Sequence, residues 1–425
     1  MFRNITIDKD KRFLYVKHII LSLPAIIYFF NVWKYAVNIP LQDDYLAILQ
    51  FLNKYITAKG IDRFFLLFSL HNEHRIFSSR VVYVVYYSLF GDINFRNLIF
   101  IANFQLLILF YALLVFIKKC LPTHWFIASF ITALCLFDLS GWENADFAMA
   151  AMQNYGIFLW LALSLLFYSL PGKKNMIAGL LFQFICIYSS GNGIVAGIII
   201  TLFNMLSGDR KRMILSSSVL LLLGPLYFIH YNPSPTGHPA TDISKVVRYF
   251  FWLAGAHVII DKEMPAVCFG IFVIVVFAIF FPVNKKLRIN TPILPLACMS
   301  LFLILSMGVV ALFRYNVAGV VPNSSRYLIY PHLLMALIFI FMLYRFQNKK
   351  AIFPMAACCI VLLLIQYRTN CNWGRDCMPA LQHNLQYTDY YTDDKALSKQ
   401  IADESCNRKI YCIQDFRQAT PLPQK

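Results

Sequence analysis

The chain has 425 residues, 59% of them hydrophobic and only 14% charged, with a formal net charge of +17. Soluble globular chains carry about 25% charged residues, so this composition excludes a soluble enzyme, a disordered chain and a small disulfide scaffold. Apolar residues fall in long blocks with short basic punctuation between them, as in an all-α polytopic membrane protein of about eleven spans of roughly 20 residues each.

The punctuation carries the topology. Basic residues cluster as Lys9, Lys11 and Arg12; Lys118 and Lys119; Lys173 and Lys174; Arg210, Lys211 and Arg212; Lys285, Lys286 and Arg288; and Arg345, Lys349 and Lys350. One pair of apolar segments separates successive clusters, which is the positive-inside pattern. It places the N-terminus and these loops in the cytoplasm and the C-terminus outside. The basic charge is thereby explained by the bilayer as partner, and nucleic acid is excluded. Only Asp8, Asp10 and Asp209 among the acids fall on the cytoplasmic side.

In chain order, the first span is expected at 13–37, a signal-anchor with no small-residue cleavage site after it. An outer segment, 38–95, follows, with amphipathic stretches at 45–55 and 61–70. The apolar stretch 76–90 is short and contains Arg80, so it reads as a juxtamembrane helix. Further spans are expected at 97–117, 123–139, 154–170, 175–189, 192–206, 213–230, 265–282, 292–313, 327–344 and 351–366. This divides the chain into a transmembrane domain, 1–366, and a polar outer tail, 367–425. The tail holds Cys371, Cys377, Cys406 and Cys412. Cysteines in an oxidising compartment form disulfides. Three pairings are possible, and the equal spacing favours Cys371–Cys377 with Cys406–Cys412. Zinc is the weaker competitor, since there is no tight C-x-x-C pair.

Ionisable groups beside a membrane are costly to keep, so those that persist are candidates for function. Asp43 and Asp44 open the first outer segment, where one carboxylate suits a general base and the other a helix cap. His71-Asn72-Glu73-His74-Arg75 offers a cation for phosphate and hydrogen-bonding groups for sugar hydroxyls; a solvated loop is the plainer alternative. Trp142 and Glu143 continue through Asn144 and Asp146 to Gln153 and Asn154, an aromatic face beside rim-bonding groups. A tryptophan of the interfacial belt would look similar. Ser189-Ser190-Gly191-Asn192-Gly193 lets the backbone approach a ligand, or simply makes a tight turn. Arg314-Tyr315-Asn316 and Ser324-Ser325-Arg326-Tyr327 flank one outer loop, where arginine suits bidentate phosphate binding and also snorkelling to headgroups.

An outward first span, an acidic pair opening a long first outer loop, juxtamembrane helices and many later spans together resemble the GT-C class of membrane glycosyltransferases. The His71–Arg75, Trp142–Asn144 and Ser324–Tyr327 elements resemble those of phage and prophage serotype-converting O-antigen glucosyltransferases. The resemblance covers most of the chain by layout and only these short motifs by residue. It implies an inverting transferase at the periplasmic face of a bacterial inner membrane, moving a hexose, glucose above all, from undecaprenyl phosphate to an O-antigen repeat. Asp43 or Asp44 would be the base, and Arg75, Arg314 and Arg326 would hold the donor phosphate. His71, Glu73, His74, Trp142, Glu143, Gln153, Asn154, Asn192 and Tyr327 would line the substrate site. No cofactor or metal is required, although a divalent ion between the outer carboxylates would also fit. A donor synthase and a flippase would act upstream. The rivals are an O-antigen polymerase, disfavoured because the largest outer loop comes first, and a lipid-linked sugar flippase or transporter, disfavoured because the spans are almost free of polar groups.

Overall fold

The computed structural model describes residues 9–231, 241–258, 262–282, 291–315, 324–346, 352–387, 390 and 392–413. Asn316, the basic cluster at 285–288, and Lys349 and Lys350 lie outside these residues, as does the tail beyond 413.

The chain folds as α-helices joined by short turns. The first part comprises α1 (Lys9–Tyr35), a π-helical turn (Tyr45–Gln50), α2 (Phe51–Thr57), α3 (Ile61–Leu67), a two-stranded hairpin of β1 (Leu70–His71) and β2 (His74–Arg75), and α4 (Phe77–Phe90). Next come α5 (Phe95–Cys120), α6 (Trp125–Leu136), α7 (Trp142–Asp146), α8 (Ala148–Tyr168), α9 (Lys173–Ile187), α10 (Gly193–Ser207) and α11 (Arg210–Tyr227). The last part is α12 (Ile243–Gly255), α13 (Glu263–Phe280), α14 (Leu294–Arg314), α15 (Ile329–Phe346), α16 (Ile352–Tyr387) and α17 (Lys395–Asn407).

Local chemistry sets many of the boundaries. Asn94 accepts the Asn97 N–H at the start of α5, and Asp209 and Asp394 cap α11 and α17 in the same way, each satisfying a donor that the first turn leaves without a helical partner. Gly91 and Gly208 end α4 and α10 in the left-handed conformation that glycine adopts without steric cost. Lys118 and Lys119 sit in the last turn of α5, where cations oppose the negative end of the helix dipole.

Among the described residues, seven helical segments are long and apolar enough to cross a membrane: Leu14–Tyr35, Phe95–Cys120, Trp125–Asp146, Ala148–Tyr168, Glu263–Phe280, Leu294–Arg314 and Ser325–Phe346. The chain therefore has the character of a multi-pass membrane protein. The other four segments expected to span are helical too, but α9 and α10 have only 15 residues each. Helix α11 opens on three basic residues, and α16 runs for 36 residues. Helices α1 and α13 expose apolar faces, Ile19, Ile26 and Phe30 on one and Phe272, Val275 and Ile279 on the other, in the position for lipid. Inside the bundle, where lipid is as apolar as the side chains, close packing and interhelical hydrogen bonds hold the helices together. Gly255 and Gly270 allow α12 and α13 to meet backbone to backbone, where any Cβ would overlap a carbonyl of the other helix. Tyr28 of α1 donates to Asn103 of α5 at 2.5 Å and lies 2.9 Å from the Tyr155 hydroxyl of α8.

The expected division at 366/367 falls inside α16, which continues unbroken to Tyr387. Polarity changes there, but backbone hydrogen bonding does not. The tail then folds back on the first outer segment. Ser405 of α17 receives a hydrogen bond from Asn53 at 3.0 Å, Ile410 accepts the Ile93 N–H at 2.8 Å, and Tyr411 donates to the Asn38 carbonyl at 2.8 Å. A disulfide joins Cys406 to Cys412. The pairing Cys371–Cys377 is not made: both residues lie on α16, six positions or about 9 Å apart along the axis, beyond disulfide reach.

Candidate functional site

The polar run at 71–75 is a tight hairpin, with Leu70 paired to Arg75 and His71 to His74. Asn72 takes the turn position with φ 50°, a left-handed conformation that asparagine tolerates better than most residues. The hairpin is bolted from behind by two buried arginines. Arg75 donates to the carbonyls of Tyr227, Phe68 and Ile229. Arg80 donates to the carbonyls of Leu66, Ser69 and Leu70. Arg75, expected to grip a phosphate, is thus spent on carbonyls that the loop would otherwise bury unsatisfied.

Asp43 and Asp44 meet opposite environments. Asp44 is 2% exposed, and its two oxygens accept the backbone N–H groups of Leu41 at 3.0 Å and Met149 at 2.9 Å. Burial pushes its carboxyl up to about 8, against those two hydrogen bonds and with help from Asp43. It ties the first outer segment to the start of α8. The Asp43 side chain is 34% exposed, and its Oδ1 lies 4.0 Å from His71 Nε2. That nitrogen is buried and makes no hydrogen bond. Burial holds His71 below the usual imidazole range even against the pull of Asp43. The pair is a solvent-reachable carboxylate beside a neutral imidazole, an arrangement able to accept a proton.

Across the hairpin, Glu73 forms an ion pair with Arg314 at the end of α14, and Arg314 Nη2 also lies 3.3 Å from His74 Nε2. Burial opposes the charge on Glu73, but His74 and Arg314 hold its carboxyl below the usual range. Burial lowers His74 to about 4, so it is neutral at neutral pH. Arg314 also reaches the Tyr327 side chain. Gly191 shows why the turn at 189–193 is made of small residues: a Cβ there would overlap the His74 ring. The turn is stitched to its surroundings by Ser78–Ser189 at 2.9 Å, Gln153–Ser190 at 3.2 Å, and Asn192 donating to Tyr330 at 3.0 Å and Ser306 at 3.1 Å.

The 142–146 and 324–327 elements, far apart in sequence, form a second cluster. Glu143 accepts from the Ser325 hydroxyl at 2.8 Å and the Arg326 N–H at 3.1 Å, and sits 3.8 Å from the Arg326 guanidinium. Asn144 donates to the Arg326 carbonyl and accepts from Asn154, each at 2.9 Å. Trp142 is half-buried, and its indole N–H has no partner. Arg314 reaches Tyr327, which follows Arg326 in the chain, so the hairpin and this cluster share one polar face, while Asp44 lies buried on backbone amides. Arg75 stands behind that face as a brace.

Sequence reasoning missed a buried polar group next to this face. Asp138 accepts from Ser140 at 2.8 Å and Asn370 at 2.9 Å, and lies 4.0 Å from His332, whose ring is 4.7 Å from that of His257. His332 lies inside an apolar segment, and an ionisable residue there was a legible signal. Asp146 is buried as well, with neither oxygen partnered. Among the described residues, no three His, Cys, Asp or Glu side chains gather in a way that would hold a metal ion. Compared with known proteins, the chain matches no protein-family profile and no curated protein.

Proposed function

We propose that this chain is an inverting GT-C-like hexosyltransferase of a bacterial inner membrane, moving a hexose, glucose foremost, from a polyprenyl phosphate to an O-antigen repeat at the periplasmic face. The topology that goes with this reading has eleven spans, with α9, α10, α11 and the first half of α16 added to the seven long apolar segments. The N-terminus lies in the cytoplasm and the C-terminus outside.

The observation that carries the reading is the contrast between adjacent carboxyl groups: Asp43 is open and lies beside His71, whereas Asp44 is buried and bonded to backbone. In the proposed reaction Asp43 takes the proton of the acceptor hydroxyl as its oxygen attacks the anomeric carbon. The bond from that carbon to the donor phosphate breaks on the opposite face, and the phosphate leaves with the electron pair. Arg314 and Arg326 neutralise it, Glu73 and Glu143 holding them in place beforehand, which is electrostatic preorganisation. Trp142 offers a stacking face, and Gln153, Asn154, Asn192 and Tyr327 hydrogen-bonding groups, to the sugars.

The test is the mass and linkage of the O-antigen repeat from a host with and without the gene. A hexose on each repeat at unchanged chain length supports the reading. An unchanged repeat with altered chain lengths would make the protein a polymerase, and no change in either would point to lipid transport.

A further inference from the structure

Helices α8 and α14 join two ends of the molecule. At one end the start of α8 receives Asp44 and the end of α14 presents Arg314 to Glu73. Each helix has 21 residues, or about 30 Å at 1.5 Å per residue, the thickness of the hydrocarbon core. At their other ends lies a cavity of about 690 Å³, with Lys119, Asp209, Arg212 and Thr291 as polar lining and Phe116 and Phe203 among its apolar walls. That volume suits a small ligand or headgroup.

Two donors in this lining have nothing to bind. Lys119 is exposed and has no hydrogen bond or ion pair among the described residues. The Thr291 hydroxyl is buried and has no hydrogen-bond partner among the described residues. Arg212, in contrast, is occupied: it pairs with Asp209 at 3.0 Å and donates to the carbonyls of Tyr168 and Leu170 at the end of α8. The one acid in the lining is therefore neutralised, and the surplus charge is the positive one on Lys119. Lys118, Lys173, Lys174, Arg210 and Lys211 stand in the turns at this end, so the local field draws anions. Met205 and Leu206 of the last turn of α10 are exposed apolar side chains next to Ser207 of the lining, which gives acyl chains a way out to the bilayer.

We propose that this cavity binds the phosphate headgroup of an anionic lipid, with Lys119 and Thr291 donating to the phosphate and the chains leaving over α10. The inference needs a membrane-spanning chain and does not depend on the transferase reading. The experiment is native mass spectrometry of the full chain, freed from nanodiscs and titrated with phosphatidylglycerol, phosphatidylcholine or inorganic phosphate. The wild type, Lys119→Ala, Thr291→Val and, as control, Lys211→Ala, outside the lining, are compared.

The wild type and Lys211→Ala are expected to hold one tight phosphatidylglycerol, weakened about tenfold in Lys119→Ala by loss of a charge-assisted hydrogen bond, and less in Thr291→Val. Equal retention by all four proteins would overturn the site. Equal binding of phosphatidylcholine would overturn the need for an anion. Displacement of the lipid by inorganic phosphate at millimolar concentration would make the occupant a free phosphate and overturn the lipid.

Discussion

Where α8 begins and α14 ends, Glu73 is held by Arg314 and Asp44 by two backbone amides; where α8 ends and α14 begins, Lys119 has no partner among the described residues and Arg212 is divided between Asp209 and helix carbonyls. Cations follow the helix dipoles at both ends, with arginine carried by the end of α14 and cations where α5, α8 and α10 finish. The difference lies in burial. At the Asp43 end the Glu73–Arg314 pair and the Arg75 guanidinium are enclosed and matched, because an unpaired buried charge costs far more than an exposed one. At the Lys119 end charge faces water and headgroups, so it can stay unmatched. One end is built for fixed geometry, the other for attraction.

The sharpest way to break this comparison is to separate the two adjacent carboxylates. Asp43→Asn is expected to lower hexose transfer by about 10²–10⁴, the contribution of a general base, at unchanged membrane abundance. Asp44→Asn is expected to retain transfer at the level its abundance allows. Equal loss of transfer per molecule in both would remove the distinction. Gly191→Ala is expected to swing His74 away from Arg314 and reduce transfer by about ten- to a hundredfold, as misplacement of a positioned group does; transfer at the wild-type rate would show the hairpin has slack.

Stability measurements sharpen the contrast further. Arg75→Met strands the buried Tyr227 carbonyl and two part-buried ones, of Phe68 and Ile229, and at about 1–3 kcal/mol for a buried polar group left unsatisfied its melting temperature in detergent should fall by several degrees. Lys119→Ala at the open end should stay within about 0.5 kcal/mol of the wild type.

A further contrast is in pH. The Asp44 carboxyl is raised from 3.8 to about 8 in the folded chain, so the folded state holds a proton there that the unfolded state has released. Its contribution is complete below pH 3.8 and is lost as pH rises towards 8. His74 has the opposite sign: lowered from 6.5 to about 4, it costs stability as pH falls from 6.5 towards 4. Between pH 6.5 and 8 the melting temperature of the wild type should therefore decline, and that of Asp44→Asn should decline less. Parallel profiles would show that Asp44 does not titrate in this window.

Much of the layout was legible in the chain. Long apolar runs between basic turns can only be helices in a bilayer, and every segment expected to span is helical. The motifs at 43–44, 71–75, 142–154 and 324–327 were visible because polar residues beside apolar runs stand out. Their roles within the site were less legible. Arg75 and Arg314 look alike as residues, yet one braces carbonyls and the other pairs with Glu73. His332 stands out as an ionisable residue inside an apolar segment, whereas Asp138 is hidden because a single polar residue at the end of a segment barely changes its hydropathy.

Sequence by itself determined that this is a helical, multi-pass membrane chain with polar residues gathered in particular turns, since hydropathy and charge are properties of consecutive residues and need no partner. Tertiary structure alone decided which carboxylate is open, which arginines are committed, that Cys406 pairs with Cys412, and that the tail packs on the first outer segment. Those outcomes depend on which groups lose water together, and in several of them the partners are far apart in sequence, Arg75 from Tyr227 and Asn53 from Ser405, whereas Cys406 and Cys412 are only six positions apart.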